Sequence, residues 1–177
     1  MKHALVVSAL SAIHVLSFAQ SANTITFRGE VAAQTCSMRV NGNASSAVVL
    51  LPAASMAQLS APGSTAGATD FTISIAGCEA KSSAQAINTL FVPGAVTSTG
   101  SIRNSGTATN VNLQLLQSGS NSAFPLTSSG YAASGLLLAP DTATASHNFA
   151  VRYVNENLGA APAGSVIGSV QYSVAYP

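Results

Sequence analysis

The residues that could carry out chemistry are few and widely spaced. After its first 19 residues the chain has one histidine, His147, and no acidic residue or cysteine lies close to it in sequence. The acidic residues are scattered, without the paired spacing that general acid and base catalysis needs. No serine lies in the Gly-x-Ser-x-Gly pattern of a hydrolase nucleophile. We therefore predict that the protein is not an enzyme and has no cofactor and no metal site.

The two cysteines, Cys36 and Cys78, could form a disulfide, remain as two buried thiols, or bind a metal. Two cysteines without nearby histidines make a poor set of metal ligands. If the chain enters an oxidising compartment, we expect a single disulfide, which the chain-entropy model values at about 4 kcal/mol.

The N-terminus predicts such a compartment. An apolar run over residues 4–16 follows Lys2 and His3, and residues 17–19 place small side chains at the positions that signal peptidase reads. This pattern predicts a secretory signal peptide over residues 1–19, with cleavage after Ser21 or Ala22 as nearby alternatives. The apolar run is shorter than the roughly 20 residues of a membrane-spanning helix, so we expect no membrane insertion of the mature chain.

Charge is scarce throughout the chain. Apart from Lys2 there are five basic and five acidic residues, so the net charge of the mature chain is near zero. Because no basic cluster exists, we expect no binding to nucleic acid or to an anionic membrane. A surface with so few charges repels its neighbours weakly, which is typical of a subunit that stacks on copies of itself.

The C-terminal stretch from Gly164 to Pro177 has the clearest strand pattern. Its larger apolar side chains fall on even positions, which places them on one face of an extended strand: Val166, Val170, Tyr172, Val174 and Tyr176. The other face is mostly small or polar. The pattern predicts a half-buried antiparallel strand, one edge of which is either covered by an earlier strand or open.

Strand patterns also occur earlier in the chain. The first, residues 24–31, continues past Cys36, and the next, residues 71–75, ends near Cys78, which would place the two cysteines on neighbouring strands. Further patterns lie at residues 87–92, 109–117 and 147–154, with weaker ones at 124–126 and 135–138, and we predict a loop over residues 60–69. Because no convincing amphipathic helix separates them, these strands predict an all-β protein, a single-domain antiparallel β-sandwich.

Taken together, these segments resemble the structural pilins of the chaperone-usher pathway, in particular the type 1 fimbrial subunits. The residues that carry the resemblance are 24–31 with a cysteine soon after, 71–78, 108–111, 149–153 and the C-terminal strand. Tyr176 is penultimate and Gly164 is the fourteenth residue from the end, as in that family's C-terminal strand. The resemblance covers essentially the whole mature chain.

The resemblance implies an incomplete immunoglobulin-like sandwich over residues 32–177 that lacks its seventh strand, preceded by a donor-strand extension over residues 20–31. The missing strand leaves a groove that a periplasmic chaperone fills first and the extension of the next subunit fills later, by addition of a β-strand. The implied donor set is Asn23, Ile25, Phe27, Gly29 and Val31. The implied acceptor-groove and chaperone-contact set is Gly164, Val166, Val170, Tyr172, Val174 and Tyr176. Cys36 and Cys78 match the family's disulfide.

The resemblance also implies a function and partners. The chain would be a structural subunit of an adhesive surface fimbria, secreted through the periplasm and assembled with neighbouring pilin subunits at an outer-membrane usher. The alternatives are a tip adhesin or carbohydrate-binding minor subunit, and a self-contained periplasmic sandwich that forms no polymer. The extension is short, and Asn23 stands where an apolar residue is more usual, so the sequence does not separate major from minor subunits.

Overall fold

The computed structural model describes residues 36–44, 47–156 and 159–175. All of these residues belong to one compact unit. The predicted signal peptide, the donor-strand extension and Tyr176 lie outside the described residues. None of the described residues forms a helix that could cross a membrane.

The described residues form seven strands and no helix. In chain order the strands are β1 (Ser37–Val40), β2 (Thr65–Ala76), β3 (Gln85–Pro93), β4 (Val111–Gln117), β5 (Tyr131–Leu138), β6 (Thr144–Asn155) and β7 (Val170–Ala175).

The strands form two antiparallel sheets. A four-stranded sheet has the order β1-β2-β6-β4, and a three-stranded sheet has the order β5-β3-β7. A complete constant-type immunoglobulin domain has the sheets A-B-E-D and C-F-G. The four-stranded sheet reproduces A-B-E-D, while β3 and β7 take the places of C and F. The strand β5 is an addition on the far side of β3, and no described strand occupies the place of G beside β7. The predicted all-β, incomplete sandwich is confirmed.

Alternating side chains on the facing strands build the core between the sheets. Phe71, Ile73 and Ile75 of β2 are buried, and the residues between them are only partly buried. Phe149 of β6 and Phe91 of β3 meet edge to face with ring centroids 5.1 Å apart, so this pair joins the two sheets. Burial of each large apolar side chain stabilises the fold by about 1.5–3 kcal/mol.

Two stretches differ from the sequence prediction. The strand β2 begins at Thr65, inside the predicted loop, because β6 pairs with it there and a register shift between Ala66 and Thr69 absorbs Gly67. Gly67 has φ +63°, and a Cβ at this position would lie 2.8 Å from the Tyr153 ring. Residues 124–126 are a loop rather than a strand, with Phe124 and Leu126 buried and Pro125 exposed, whereas the pattern at 135–138 is part of the longer β5.

The predicted disulfide is present. Cys36 and Cys78 are bonded, with their Cα atoms 4.6 Å apart. They lie just before β1 and just after β2, and Ser37 pairs with Ala76 in the same ladder. The bond ties the first described strand to the sheet at the end where β2 finishes.

Candidate functional site

Among the described strands, β7 has a partner on one side only. It pairs with β3 from Asn88↔Ala175 to Pro93↔Val170 without any register shift. No other described strand pairs with β7. The sequence predicted that one edge of this strand is either covered or open. Among the described residues, this edge is open.

The backbone groups of β7 point alternately to its two sides. The N–H of Gly94 donates to the carbonyl of Ser169 at 3.0 Å, which sets the hydrogen-bonded positions of the pair. Since these positions alternate along an antiparallel pair, the odd residues of β7 bond to β3 and the even residues direct their N–H and C=O groups to the other side. Val170, Tyr172 and Val174 thus present backbone groups without a partner among the described residues.

A loop extends this one-sided pairing before β7. The N–H of Ser105 donates to the carbonyl of Ile167 at 2.9 Å, and the N–H of Ala108 donates to the carbonyl of Ser165 at 3.0 Å. The side-chain oxygen of Asn104 accepts from the N–H of Ile167 at 2.9 Å. The whole C-terminal segment, residues 164–175, is therefore held on one side by the loop and by β3.

The side chains of this segment alternate in the same way. Val166, Val170, Tyr172 and Val174 are partly buried and pack against the core between the sheets. Gln171 and Ser173 are exposed. Gly164 lies where the segment begins, and a Cβ there would be 2.5 Å from the Ala108 nitrogen, so glycine permits the close approach of the loop.

An apolar groove of about 240 Å³ runs beside β7. The C-terminal segment forms one wall, residues 47–51 form the opposite wall, and the sandwich core forms the floor. None of the described residues that line it is charged. The lining residues are Val40, Ala47, Val49, Leu51, Phe71, Ile73, Phe91, Ile102, Leu113, Leu115, Val151, Gly168, Ser169, Val170 and Tyr172.

Sequence reasoning missed the opposite wall. Ala47, Val49 and Leu51 pack against the core, while Val48 and Leu50 are 74% and 82% exposed. No backbone hydrogen bond joins residues 47–51 to other described residues. Every side chain in this run is apolar, so the sequence does not show which residues face inward and which face outward. The only sequence feature that could have indicated this wall is the apolar run that ends at Pro52.

Two of the described ionisable side chains, His147 and Glu156, make hydrogen bonds outside this groove. His147 Nε2 lies 2.5 Å from Gln117 Oε1, and its ring packs on Phe149. Glu156 accepts hydrogen bonds from Thr99, Ser101 and Asn112. Within the described ranges, no group of three or more His, Cys, Asp and Glu side chains could hold a metal ion.

The residues predicted to act as the donor, Asn23, Ile25, Phe27, Gly29 and Val31, lie outside the described residues, as does Tyr176. Their roles remain predictions. What the described geometry can do is accept one more strand, because unpaired backbone groups border an apolar groove along its length.

Comparisons with known proteins agree with this geometry. A family model described as "Fimbrial protein" matches residues 25–177. The chain is 35% identical over 158 residues to the F17 fimbrial protein of Escherichia coli, with 86% of each chain covered. It is 34% identical to the major fimbrial subunit SMF-1 of Stenotrophomonas maltophilia, covering 86% of this chain and 91% of that one.

A solved structure shows the same fold. The P pilus rod subunit PapA matches with a TM-score of 0.58 at 11% identity, covering 80% of this chain and 99% of that chain. The sheet order and the family model, which spans nearly all residues after the predicted signal peptide, lead to one conclusion: the chain belongs to the fimbrial protein family.

Proposed function

We propose that this fimbrial subunit polymerises by donor-strand exchange, in which residues 20–31 of one copy fill the groove beside β7 of the next. The observation that supports this most directly is the open edge of β7 above an apolar groove. The proposal includes secretion to the periplasm, protection by a chaperone, and delivery to an outer-membrane usher that builds the surface fimbria.

The proposed donor matches the groove in length and pattern. Its five alternate residues correspond in number to the five even positions from Val166 to Val174. An antiparallel strand would complete the sheet as strand G does in an immunoglobulin domain. In such a pairing the last donor residue, Val31, lies at the Val166 end.

The glycines support one register of this pairing. With Val31 beside Val166, Gly29 stands beside Gly168. A Cβ at position 168 would lie 2.9 Å from both Ile102 and Leu113, so these two side chains raise the floor of the groove at this point. A glycine in the donor suits that shallow position, while Ile25 and Phe27 fall beside Tyr172 and Val170.

The same geometry supports the part of the proposal that involves a chaperone. An uncharged, unshifted edge strand beside exposed apolar surface is a template for uncontrolled strand pairing. A subunit waiting for assembly is therefore stabilised if another protein supplies a strand to the groove temporarily. We assign that part to the periplasmic chaperone, and the exchange of its strand for the next subunit's extension to the usher.

A donor-deficient variant tests the proposal in the mature chain. Ile25→Asp with Phe27→Asp gives a chain that can accept a strand but cannot donate one. A synthetic peptide of residues 21–31 should bind it and raise its Tm by about 10 °C, as expected for a ligand at roughly 1,000 times its Kd. The measurement is thermal unfolding with and without peptide.

A peptide that carries the same two aspartates is the matched control and should leave the Tm unchanged. Equal effects of the two peptides would contradict the proposal. So would normal polymerisation of the donor-deficient chain, and so would a stable monomer that ignores both peptides, which is the behaviour of a self-contained sandwich.

A further inference from the structure

A second cavity, lined mainly by small residues and residues of apolar type, lies at the start of the C-terminal segment. This end cavity has a volume of about 260 Å³, and no residue of the described part of the chain that lines it is charged. The ring of Tyr153 forms part of its wall, and burial raises the pKa of this hydroxyl above its ordinary value. The remaining lining residues are Ala53, Ala54, Ser55, Met56, Leu59, Ala108, Val111, Ala161, Pro162, Ala163, Gly164 and Val166.

The walls of the end cavity are held in place. Asn155 is fully buried, and its side-chain nitrogen donates to the carbonyl of Leu59 at 2.8 Å and to that of Gly159 at 2.7 Å. These two bonds fix the two loops that face each other across the cavity. On its rim, Met56 is 57% exposed although it is large and apolar.

The end cavity continues the groove. Val166 packs against both the main core and the small cluster beneath the cavity, Leu59, Val111 and Ala161. The groove begins two residues later, at Gly168. The cavity also contacts Val111 at the start of β4 and Tyr153 near the end of β6. It is therefore at the end of the sandwich opposite the disulfide, which closes the far end of β2.

We propose that the end cavity is the surface on which the body of the donor subunit, a second copy of this chain, sits during assembly. The inference rests on the proposed donor-strand exchange and adds a contact that the strand itself does not make. In the antiparallel register the donor strand leaves the groove at Val166, next to the cavity.

The short segment between the donor strand and Cys36 requires the body of the donor subunit to lie near the end cavity. Only four residues, 32–35, separate Val31 from Cys36, which is tied into the donor's own sandwich by its disulfide. Five residue steps span at most about 17 Å even when fully extended. Cys36 of the donor must therefore lie within that distance of the donor's Val31, which in this register is beside the acceptor's Val166, where the end cavity opens.

The contact has the geometry of a filament. The disulfide end of one copy meets the cavity end of the next, so the two surfaces are different parts of the same chain. Such a heterologous contact leaves a free surface at each end and continues the fibre instead of closing a dimer. Met56 suits this contact because an unbranched, flexible side chain can adapt to an incoming surface.

The test separates the cavity from the groove. The acceptor is the mature chain with Ile25→Asp and Phe27→Asp, with or without Met56→Asp. The donors are the 21–31 peptide and the wild-type mature chain whose own groove has been filled with that peptide. Both affinities are measured by titration, and thermal unfolding checks that each acceptor is folded.

Met56→Asp should weaken binding of the whole donor subunit by about tenfold and leave binding of the peptide unchanged, because a charge is then buried only under the donor's body. Ser146→Asp, on the exposed face of the four-stranded sheet, adds the same charge far from the cavity and should change neither affinity. Pro162→Glu on the cavity rim should repeat the Met56 result if Met56→Asp fails to fold.

Two outcomes overturn the inference. If the whole donor subunit bound the acceptors with and without Met56→Asp equally tightly, nothing would cover the cavity. An equal loss for peptide and whole donor would place Met56 in the groove. Failure of the peptide to bind even the acceptor with intact Met56 would instead reject donor-strand exchange itself.

Discussion

The two edges of the three-stranded sheet are built differently. At the β5 edge the register shifts between Ile87 and Thr89, and Gly135 has φ +139°. The Gln117 side chain donates to the carbonyl of Ser134 at 2.7 Å and also contacts His147. At the β7 edge the pairing with β3 has no shift, and among the described residues nothing bonds to the outer side.

This difference matches two known ways of treating a sheet edge. A bulge and a covering side chain prevent further strand pairing, as at β5. A straight, uncharged strand beside an apolar groove invites it, as at β7. Of the two described edges, the β7 edge is therefore the better suited to pair with a further strand, and under the proposed donor-strand exchange this difference would give the fibre its direction.

Among the substitutions that test the difference between the two edges, Gly135→Val in β5 should have the largest effect on the free energy of unfolding. The backbone at φ +139° favours glycine, and a Cβ would lie 2.4 Å from the His147 ring. We expect a loss of about 3 kcal/mol in the free energy of unfolding. Ser173→Val, on the exposed face of β7, should change it by less than about 0.5 kcal/mol. Urea unfolding of the two variants measures both, and similar losses would refute the asymmetry.

The next effect is an alternation in hydrogen exchange along β7. The amides of Gln171 and Ser173 bond to β3, whereas those of Tyr172 and Val174 face the open edge. We expect the even amides to exchange about tenfold faster or more, since they lack a hydrogen bond to break. Adding the 21–31 peptide should slow them. Exchange measured by NMR that is uniform along β7 without the peptide would show that this edge is already covered.

The smallest effect is expected for Gln117→Ala. The substitution removes the bond to Ser134 and the contact to His147, and it should cost about 1 kcal/mol of stability. The protection of the β5 amides against hydrogen exchange should fall, while the protection of the Gln171 and Ser173 amides should not change. Gln171→Ala, at an exposed position of β7, is the control and should be close to neutral. If both glutamine variants behaved alike, the Gln117 bridge would not be what secures the β5 edge.

The local patterns of the chain were sufficient to predict most strands, the disulfide and the inward face of the C-terminal segment. Phe71, Ile73 and Ile75 alternate so regularly that only a half-buried strand accommodates them. Val166, Val170, Tyr172 and Val174 share one face for the same reason. Two cysteines in a chain with a predicted signal peptide left few alternatives to a bond between them.

Other features depended on which segments meet in space. The wall formed by Ala47, Val49 and Leu51, the pairing of β2 from Thr65, and the Gln117 bridge at β5 each join residues far apart in the chain. Composition even suggested a loop at Thr65, because glycine and alanine carry a weak strand signal. It was the pairing with β6 that made this stretch a strand.

Side-chain periodicity is a local property, so the amino-acid sequence decided which residues face inward and which face outward. Whether an edge is open, and which cavity continues a groove, depends on contacts between distant segments that periodicity does not encode. Tertiary packing therefore decided that β5 has a bulge and a side-chain hydrogen bond at its edge, that the outer edge of β7 is open among the described residues, and that the end cavity lies where an antiparallel strand would leave the sheet.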